Sequence, residues 1–340
     1  MEQWLADAVA AAAASEPMPL ATIVPVVPGR VLHLDGDYLA YFMAGNDDTD
    51  PGTARRNALQ RIINFKEMSG SEKCLLHLTA TGSSKADRYL IASVKPYQGQ
   101  RSGAKPKNWE SLRDFLEGYD RPVFKPHQWG DREADDGMAL MMHTAISRGN
   151  WDLAVSCTRD KDMRQYPGQH LGWTDYMLVD VPVGEYQVRD HNDLLYGHAW
   201  FWQQCLQGDG VDNIPGLPRY CPMPHKSALI GEKTAEKMLA DATCDEEAFQ
   251  KVVWLYSGHY LDWPEQLAEQ MSLLWLRRGA DAHCLDFLRH LQLDRTTDNF
   301  KDFARGCQSL LQRVRSAKEA VRAIEAQSGA GCASTPAAAG

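Results

Sequence analysis

The first half of the chain alternates short apolar runs with stretches of helical spacing. Apolar runs at residues 31–34, 74–79 and 151–158 predict buried strands, and residues 177–183 predict an edge strand. Residues 54–68 and 135–147 lie between the runs and carry apolar residues three and four positions apart. Strands that alternate with helices are typical of a parallel α/β sheet, so residues 29–190 are expected to form an α/β domain.

After residue 190 the pattern becomes helical. Helical spacing predicts helices at residues 194–206, 226–239, 246–256, 265–276, 284–291 and 303–326. We therefore expect a mostly α-helical region at 191–326, preceded by the α/β domain and by an N-terminal extension at 1–28. Residues 327–340 are rich in Gly, Ala, Ser and Pro and are predicted to be a disordered tail.

Composition and charge favour a protein of the cytoplasm. An apolar run of 18 or more residues is absent from the sequence, so no transmembrane helix is expected. Residues 1–14 carry acids and lack the basic start of a secretory signal. None of the eight cysteines forms a Cys-x-x-Cys pair, which predicts free thiols in a reducing compartment.

The net charge of −9 is unevenly distributed, so it does not exclude a nucleic-acid partner. Between residues 85 and 107 the chain carries six basic residues and one acid, Asp87. The basic residues are Lys85, Arg88, Lys95, Arg101, Lys105 and Lys107.

The acids collect in four short groups, three of which follow apolar segments. A single Asp at a strand end is more often a turn or cap than a ligand. Four groups together are different, because close carboxylates raise one another's pKa values unless cations neutralise them. The groups are Asp35 with Asp37, then Glu133, Asp135 and Asp136, then Asp160 with Asp162, and finally Asp209 with Asp212.

Ligands of α/β sheets gather at the carboxyl ends of strands, where these acids are predicted to fall. Oxygen-only donors select Mg²⁺ or Mn²⁺ over zinc. Two such ions about 4 Å apart activate water and stabilise the leaving oxygen of a phosphodiester. The sequence therefore predicts a metal-dependent phosphodiesterase.

Five motifs in order resemble the 5′ nuclease superfamily, which includes flap endonucleases and the 5′ nuclease domain of DNA polymerase I. The resemblance is fullest to the 5′→3′ exonucleases of short-tailed coliphages. Four of the motifs are Leu-Asp-Gly-Asp at 34–37, Glu-Ala-Asp-Asp at 133–136, Asp-Lys-Asp at 160–162 and Gly-Asp-Gly-Val-Asp-Asn-Ile-Pro-Gly at 208–216. The fifth is Ile-Gly-Glu-Lys-Thr-Ala at 230–235.

This resemblance implies a mixed, mostly parallel, PIN-like nuclease sheet, followed by a helix–turn–helix-type module that binds duplex DNA. It implies one metal site at Asp35, Glu133, Asp135 and Asp136, and a second at Asp160, Asp162, Asp209 and Asp212. Asp37 is left open as a ligand.

The resemblance also assigns the basic segment. Residues 94–101 resemble a segment at the base of a helical arch, placed here at about 83–125, through which the 5′ strand threads. It implies that Lys95 and Arg101 act on the scissile phosphate, that Tyr97 stacks on a base, and that Lys85 and Arg88 bind substrate. Gly231, Lys233 and Thr234 would contact a phosphate, with K⁺ nearby.

Further expectations from the resemblance are a monomer, a substrate of duplex or flap DNA with a 5′ end, an RNA–DNA hybrid as an open alternative, a phage source and a role in replication. The sequence departs from the pattern at Gln98, which replaces a lysine, and at residues 79–81, which lack an Asp. Two alternatives stay open. One is a haloacid-dehalogenase-type phosphatase with Asp35 as nucleophile and Asp37 as acid. The other is a binding protein of the same fold without catalysis.

Overall fold

A six-stranded sheet forms the centre of the first half of the chain. The computed structural model describes residues 24–101, 103–218 and 229–331. The strands are β1 (Val27–Asp35), β2 (Ser71–Thr79), β3 (Lys125–Trp129), β4 (Ala154–Cys157), β5 (Gly168–Leu171) and β6 (Leu178–Val181), in the order β3-β2-β1-β4-β5-β6. All neighbours are parallel except β5 and β6. The predicted mixed, mostly parallel sheet is confirmed.

Helices cover both the sheet and its carboxyl edge. They are α1 (Gly36–Met43), α2 (Pro51–Met68), α3 (Arg88–Ile91), α4 (Trp109–Glu117) and α5 (Ala134–Ser147). Asp50 caps the N-terminus of helix α2, because its side chain accepts a hydrogen bond from the Thr53 amide, and Pro51 occupies the first turn. Its Ala58, Ile62 and Phe65 pack against buried strand residues. These helices hold the strand ends in fixed positions.

The second half is a helical module with its own core. A short hairpin of β7 (Val188–Arg189) and β8 (Leu195–Tyr196) precedes α6 (His198–Gln207), α7 (Glu232–Leu239), α8 (Asp245–His259), α9 (Trp263–Leu274) and α10 (Asp298–Gly331). Trp202, Phe249, Trp275 and Phe303 are fully buried in its core, which also receives Tyr97. The predicted α/β core followed by a helical module is confirmed.

Most predicted elements agree with the structure, and the differences have local causes. The helix predicted at 194–206 begins at His198, since residues 195–196 pair in the hairpin. Residues 284–291 contain a short 3-10 helix, Asp286–Arg289, rather than an α-helix. Helix α7 begins at Glu232, and residues 219–228 of the preceding segment lie outside the described residues.

Two regions of the predicted domain plan also differ in detail. The described residues of the arch segment at 83–125 form a 3-10 helix at Lys85–Asp87, helices α3 and α4, and irregular stretches between these two helices. Helix α10 continues to Gly331, past the predicted start of the tail at 327, while residues 1–23 and 332–340 lie outside the described residues.

Two further expectations can be compared with the structure. The six cysteines that the structure describes, at 74, 157, 205, 244, 284 and 307, are free. No helix in the described part of the chain is long and apolar enough to span a bilayer.

Gly137 lets helix α5 lie directly on the indole of Trp129. A Cβ atom at position 137 would stand 2.1 Å from Trp129 Nε1, which donates a 3.0 Å hydrogen bond to His77 Nδ1. We expect Gly137→Ala to destabilise the fold by about 1–3 kcal/mol in denaturant unfolding, because the indole must leave His77. Alanine ordinarily stabilises a helix interior by about 1 kcal/mol relative to glycine. A loss of stability in Gly137→Ala would therefore show that the close contact with Trp129 outweighs the helix propensity of alanine.

Gly130→Ala is the matched control, since a Cβ atom there meets nothing within 4 Å. Equal stability of the two variants would contradict the role given to Gly137.

Candidate metal centre

The predicted acids come from four places in the chain that the fold brings to one edge of the sheet. Asp35 ends β1, Glu133 is the residue before α5, and Asp160 follows β4. Asp209 and Asp212 follow α6, in a loop where the Asp209 and Ile214 backbones exchange two hydrogen bonds. Gly208 makes this loop possible, since its φ is +69° and a Cβ atom would stand 2.4 Å from Gly216 N.

Three of the acids form a compact group of potential ligands. Asp162, Asp209 and Asp212 each place an oxygen atom so that all three lie within 4.8 Å of one another. Asp162 and Asp209 are buried and Asp212 is partly exposed. Three convergent oxygens with one open side are the arrangement that a hard divalent cation needs.

Hydrogen bonds fix the directions of these carboxylates. Thr158 donates to Asp35 Oδ2 at 2.7 Å, and Gln204 Nε2 donates to Asp162 Oδ1 at 2.5 Å. The Asp162 amide in turn donates to Asp160 Oδ1 at 2.9 Å. The acids are therefore held in place by neutral donors.

Burial and mutual repulsion make the cluster electrostatically costly. Burial, aided by Asp37, raises the pKa of Asp35 to about 6. Burial raises the pKa of Asp160 to about 7, and Asp212, Asp209 and Asp35 add to that increase. The pKa values of Asp135 and Asp162 are also raised well above normal, first by burial and then by neighbouring acids. Such a group favours binding of cations.

Tyr97 and Gln98 join two of the acidic groups. The Tyr97 hydroxyl lies 2.7 Å from Glu133 Oε2 and 3.0 Å from Asp212 Oδ2, so its proton bridges the two carboxylates. Gln98 Nε2 lies 3.0 Å from Glu133 Oε1 and 3.2 Å from Asp212 Oδ1. The Tyr97 ring is 4% exposed, so the expectation that it stacks on a base is corrected: the ring packs in the protein core.

Asp136 and Arg88 bind each other rather than a metal and DNA. Arg88 Nη1 and Nη2 donate to the two Asp136 oxygens at 2.5 and 2.8 Å, and Asp136 also accepts the Arg277 amide at 2.8 Å. Both side chains are buried. The predictions of Asp136 as a ligand and of Arg88 as a DNA contact are therefore corrected. The two residues are adjacent to the site but face the helical module.

Asp37 and Thr79 form a separate contact. Arg113 Nη1 donates to Asp37 Oδ1, and the Thr79 amide donates to the same oxygen at 3.1 Å. The Thr79 side-chain oxygen accepts the Ala134 amide at 2.9 Å. The Asp37 carboxylate is thus paired with Arg113, which argues against Asp37 as the general acid of a phosphatase.

Besides buried Arg88, three cations contact the candidate ligands. Lys85 Nζ lies 3.4 Å from Glu133 Oε1, Lys161 Nζ lies 3.1 Å from Asp209 Oδ1, and Arg101 Nη2 contacts Asp212 Oδ1. The Arg101 side chain is 50% exposed, and Lys95 is exposed. The predicted basic residues Lys85, Arg101 and Lys95 therefore lie where solvent, and hence a ligand, can reach them.

The predicted phosphate turn lies in the helical module. Gly231 precedes α7, and Gly231, Lys233 and Thr234 line a cleft of about 530 Å³ together with Arg189 and Gln203. Amides at a helix N-terminus attract anions.

Sequence reasoning missed the residues that hold the acids. Thr158 stood beside the Asp-Lys-Asp motif and gave a signal, whereas Gln204 and Arg277 gave none, because both are brought to the site by chain segments more than 40 residues away.

Comparison with known proteins supports the fold. No family model matches the chain. DNA polymerase I of Bacillus subtilis (strain 168) is 25% identical over 234 residues, which are 66% of this chain and 24% of the polymerase. The match thus spans about a quarter of that protein's length.

Two solved structures share the architecture. One is the bacteriophage T5 flap endonuclease in a pseudo-enzyme-product complex with DNA and metal ions, with 13% identity and a TM-score of 0.52. The other is a T5 protein co-crystallised with metal ions, with 14% identity and a TM-score of 0.51. Each match covers 84% of this chain and 99% of the other. The chain has the fold of this 5′ nuclease, as the motif resemblance implied.

The Arg88–Asp136 pair yields a stability prediction. Asp136→Asn leaves the buried Arg88 without its close counterion, so we expect a loss of about 3–5 kcal/mol in the free energy of unfolding, measured in denaturant. Asp281→Asn is the matched control, because Asp281 and its partner Arg289 are both about half exposed and such pairs contribute about 0–1 kcal/mol. Similar losses in the two variants would contradict the assignment.

The raised carboxyl pKa values predict an unusual pH dependence without metal. Between about pH 8 and pH 6.5 the folded state takes up protons at Asp160 and Asp35, with pKa values of about 7 and 6, while the unfolded carboxyls stay ionised. At these carboxyls the folded state binds more protons, so their contribution to stability rises as the pH falls. Buried His33, His77 and His170, whose pKa values burial lowers, oppose this trend as the pH approaches 6.5.

Thermal unfolding with EDTA and with Mg²⁺ measures this effect, because the histidines titrate alike under both conditions. We expect added Mg²⁺ to raise Tm more at about pH 8 than at about pH 6.5. An equal rise in Tm at the two pH values would show that the acids do not repel one another as described.

Proposed function

We propose that this chain is a metal-dependent 5′ nuclease that hydrolyses phosphodiester bonds at or near the 5′ ends of duplex or flap DNA. The observation that carries the proposal is the convergence of oxygen atoms of Asp162, Asp209 and Asp212 within 4.8 Å of one another, with buried Asp35 at the end of β1. The fold shared with the phage T5 flap endonuclease supports it.

The donor set fits Mg²⁺, with Mn²⁺ as a substitute, since every candidate ligand is a carboxylate. Asp35, Glu133 and Asp135 would hold one ion, and the second would bind at Asp160, Asp162, Asp209 and Asp212. The ions would lower the pKa of the attacking water and neutralise charge on the leaving oxygen.

The chain's own cations complete the proposed mechanism. Arg101 is half exposed and carries a planar guanidinium that can bind a phosphate through two hydrogen bonds. With Lys95 it would stabilise charge on the scissile phosphate, where fixed charges act most strongly in a water-poor site. The Gly231–Thr234 turn and Lys233 would hold the duplex backbone, with K⁺ at the turn.

Cleavage of a labelled 5′-flap duplex tests the proposal. Wild type is expected to release short 5′ products with Mg²⁺ and none with EDTA. Asp162→Ala is expected to reduce the rate by roughly 100-fold or more while DNA binding persists. The variant should fold, because it removes one of several mutually repelling charges.

Glu67→Ala is the control, an exposed acid on α2 outside the arch segment, whose loss should leave cleavage unchanged. DNA binding by wild type without any cleavage would instead indicate a binding protein of the same fold. Full activity of Asp162→Ala would contradict the assignment of the second metal site.

A further inference from the structure

Lys85 contacts a candidate metal ligand and is partly exposed to solvent. Its Nζ lies 2.7 Å from Gln98 Oε1 and 3.4 Å from Glu133 Oε1, and 22% of its side chain is exposed. The ammonium therefore contacts a candidate ligand and is open to solvent on one side.

The backbone around Lys85 adopts a rare conformation that fixes this placement. Lys85, Ala86 and Asp87 have φ values of 49°, 53° and 62°, a left-handed region that residues other than glycine seldom adopt. The Ala86 amide donates to Asp131 O at 2.9 Å, and Lys318 Nζ contacts Asp87 Oδ2 at 2.5 Å. Strained residues persist where surrounding contacts enforce them, and they concentrate at functional sites.

The neighbouring cations are engaged elsewhere. Arg88 also reaches Glu133 Oε2 at 3.4 Å but is buried and paired with Asp136, while Arg101 contacts Asp212 and Lys161 contacts Asp209. Among the described residues, Lys85 and Arg88 form the ion pairs with Glu133, and of these two only Lys85 is partly exposed.

We propose that Lys85 is a further catalytic residue that exchanges partners: its ammonium neutralises Glu133 in the metal-free site and contacts a phosphodiester oxygen once Glu133 holds a cation. This inference rests on the proposed nuclease function. Gln98 positions Lys85 for this exchange. Its side-chain carbonyl oxygen accepts a hydrogen bond from Lys85, while its amide nitrogen donates to Glu133 and Asp212.

The exchange predicts opposite effects of Lys85→Ala on two measurements. Without DNA, Mn²⁺ should bind a few-fold more tightly by calorimetry, because the competing ammonium has left Glu133. With DNA and Mg²⁺, single-turnover cleavage should slow by roughly tenfold or more. Lys73→Ala is the matched control, an exposed lysine at the start of β2, and should change neither value.

A second variant separates charge from structure. Gln98→Lys introduced into Lys85→Ala should restore cleavage in large part, since Gln98 Nε2 already lies 3.0 Å from Glu133 Oε1. Unchanged cleavage in Lys85→Ala, or weaker Mn²⁺ binding together with no restoration by Gln98→Lys, would overturn the inference. Failure of wild type to cleave would overturn the proposed function instead. In that case, Mn²⁺ affinity that is the same in Lys85→Ala and wild type would also reject the competition between Lys85 and the metal for Glu133.

Discussion

Repulsion among buried carboxylates is the constraint on which the rest of this structure depends. Asp35 and Asp162 are buried close to other acids, and the pKa values of both, like those of Asp135 and Asp160, are raised. Neutral donors such as Thr158 and Gln204 hold the acids in place, while Lys85, Arg101 and Lys161 supply positive charge at the rim. A fold that needed only stability would gain from apolar residues here. The arrangement makes sense as a binding site for divalent cations.

A second electrostatic contact joins the two halves of the chain. Arg88 binds Asp136 at the start of α5 and also donates to the Leu273 and Trp275 carbonyls at the end of α9. The Arg277 amide completes the contact on Asp136. Because Glu133 and Asp135 lie in the same helical turn as Asp136, this network fixes the candidate ligands relative to the helical module. DNA held by that module would thus meet the carboxylates at a defined distance.

Much of the fold and most of the acids could be predicted, because both depend on local pattern. Apolar runs that end in acids predicted β1 and β4, and the motifs named Asp162, Asp209 and Asp212, which the fold brings close together. The error at Asp136 has a geometric reason: one residue along a helix turns the side chain by about 100°. The side chain therefore faces Arg88 instead of the cluster. Likewise, the burial of Tyr97 depends on packing against a distant helical core.

The central claim is that the acids at the sheet edge form a divalent-cation site, and calorimetric titration with Mn²⁺ near pH 7 tests it most directly. Performed in buffers of different ionisation enthalpy, the titration counts the protons released on binding. Since the pKa values of Asp35 and Asp160 are raised to about 6 and 7, the account predicts saturable binding with measurable proton release that diminishes toward about pH 8.5. An absence of saturable binding would contradict the account.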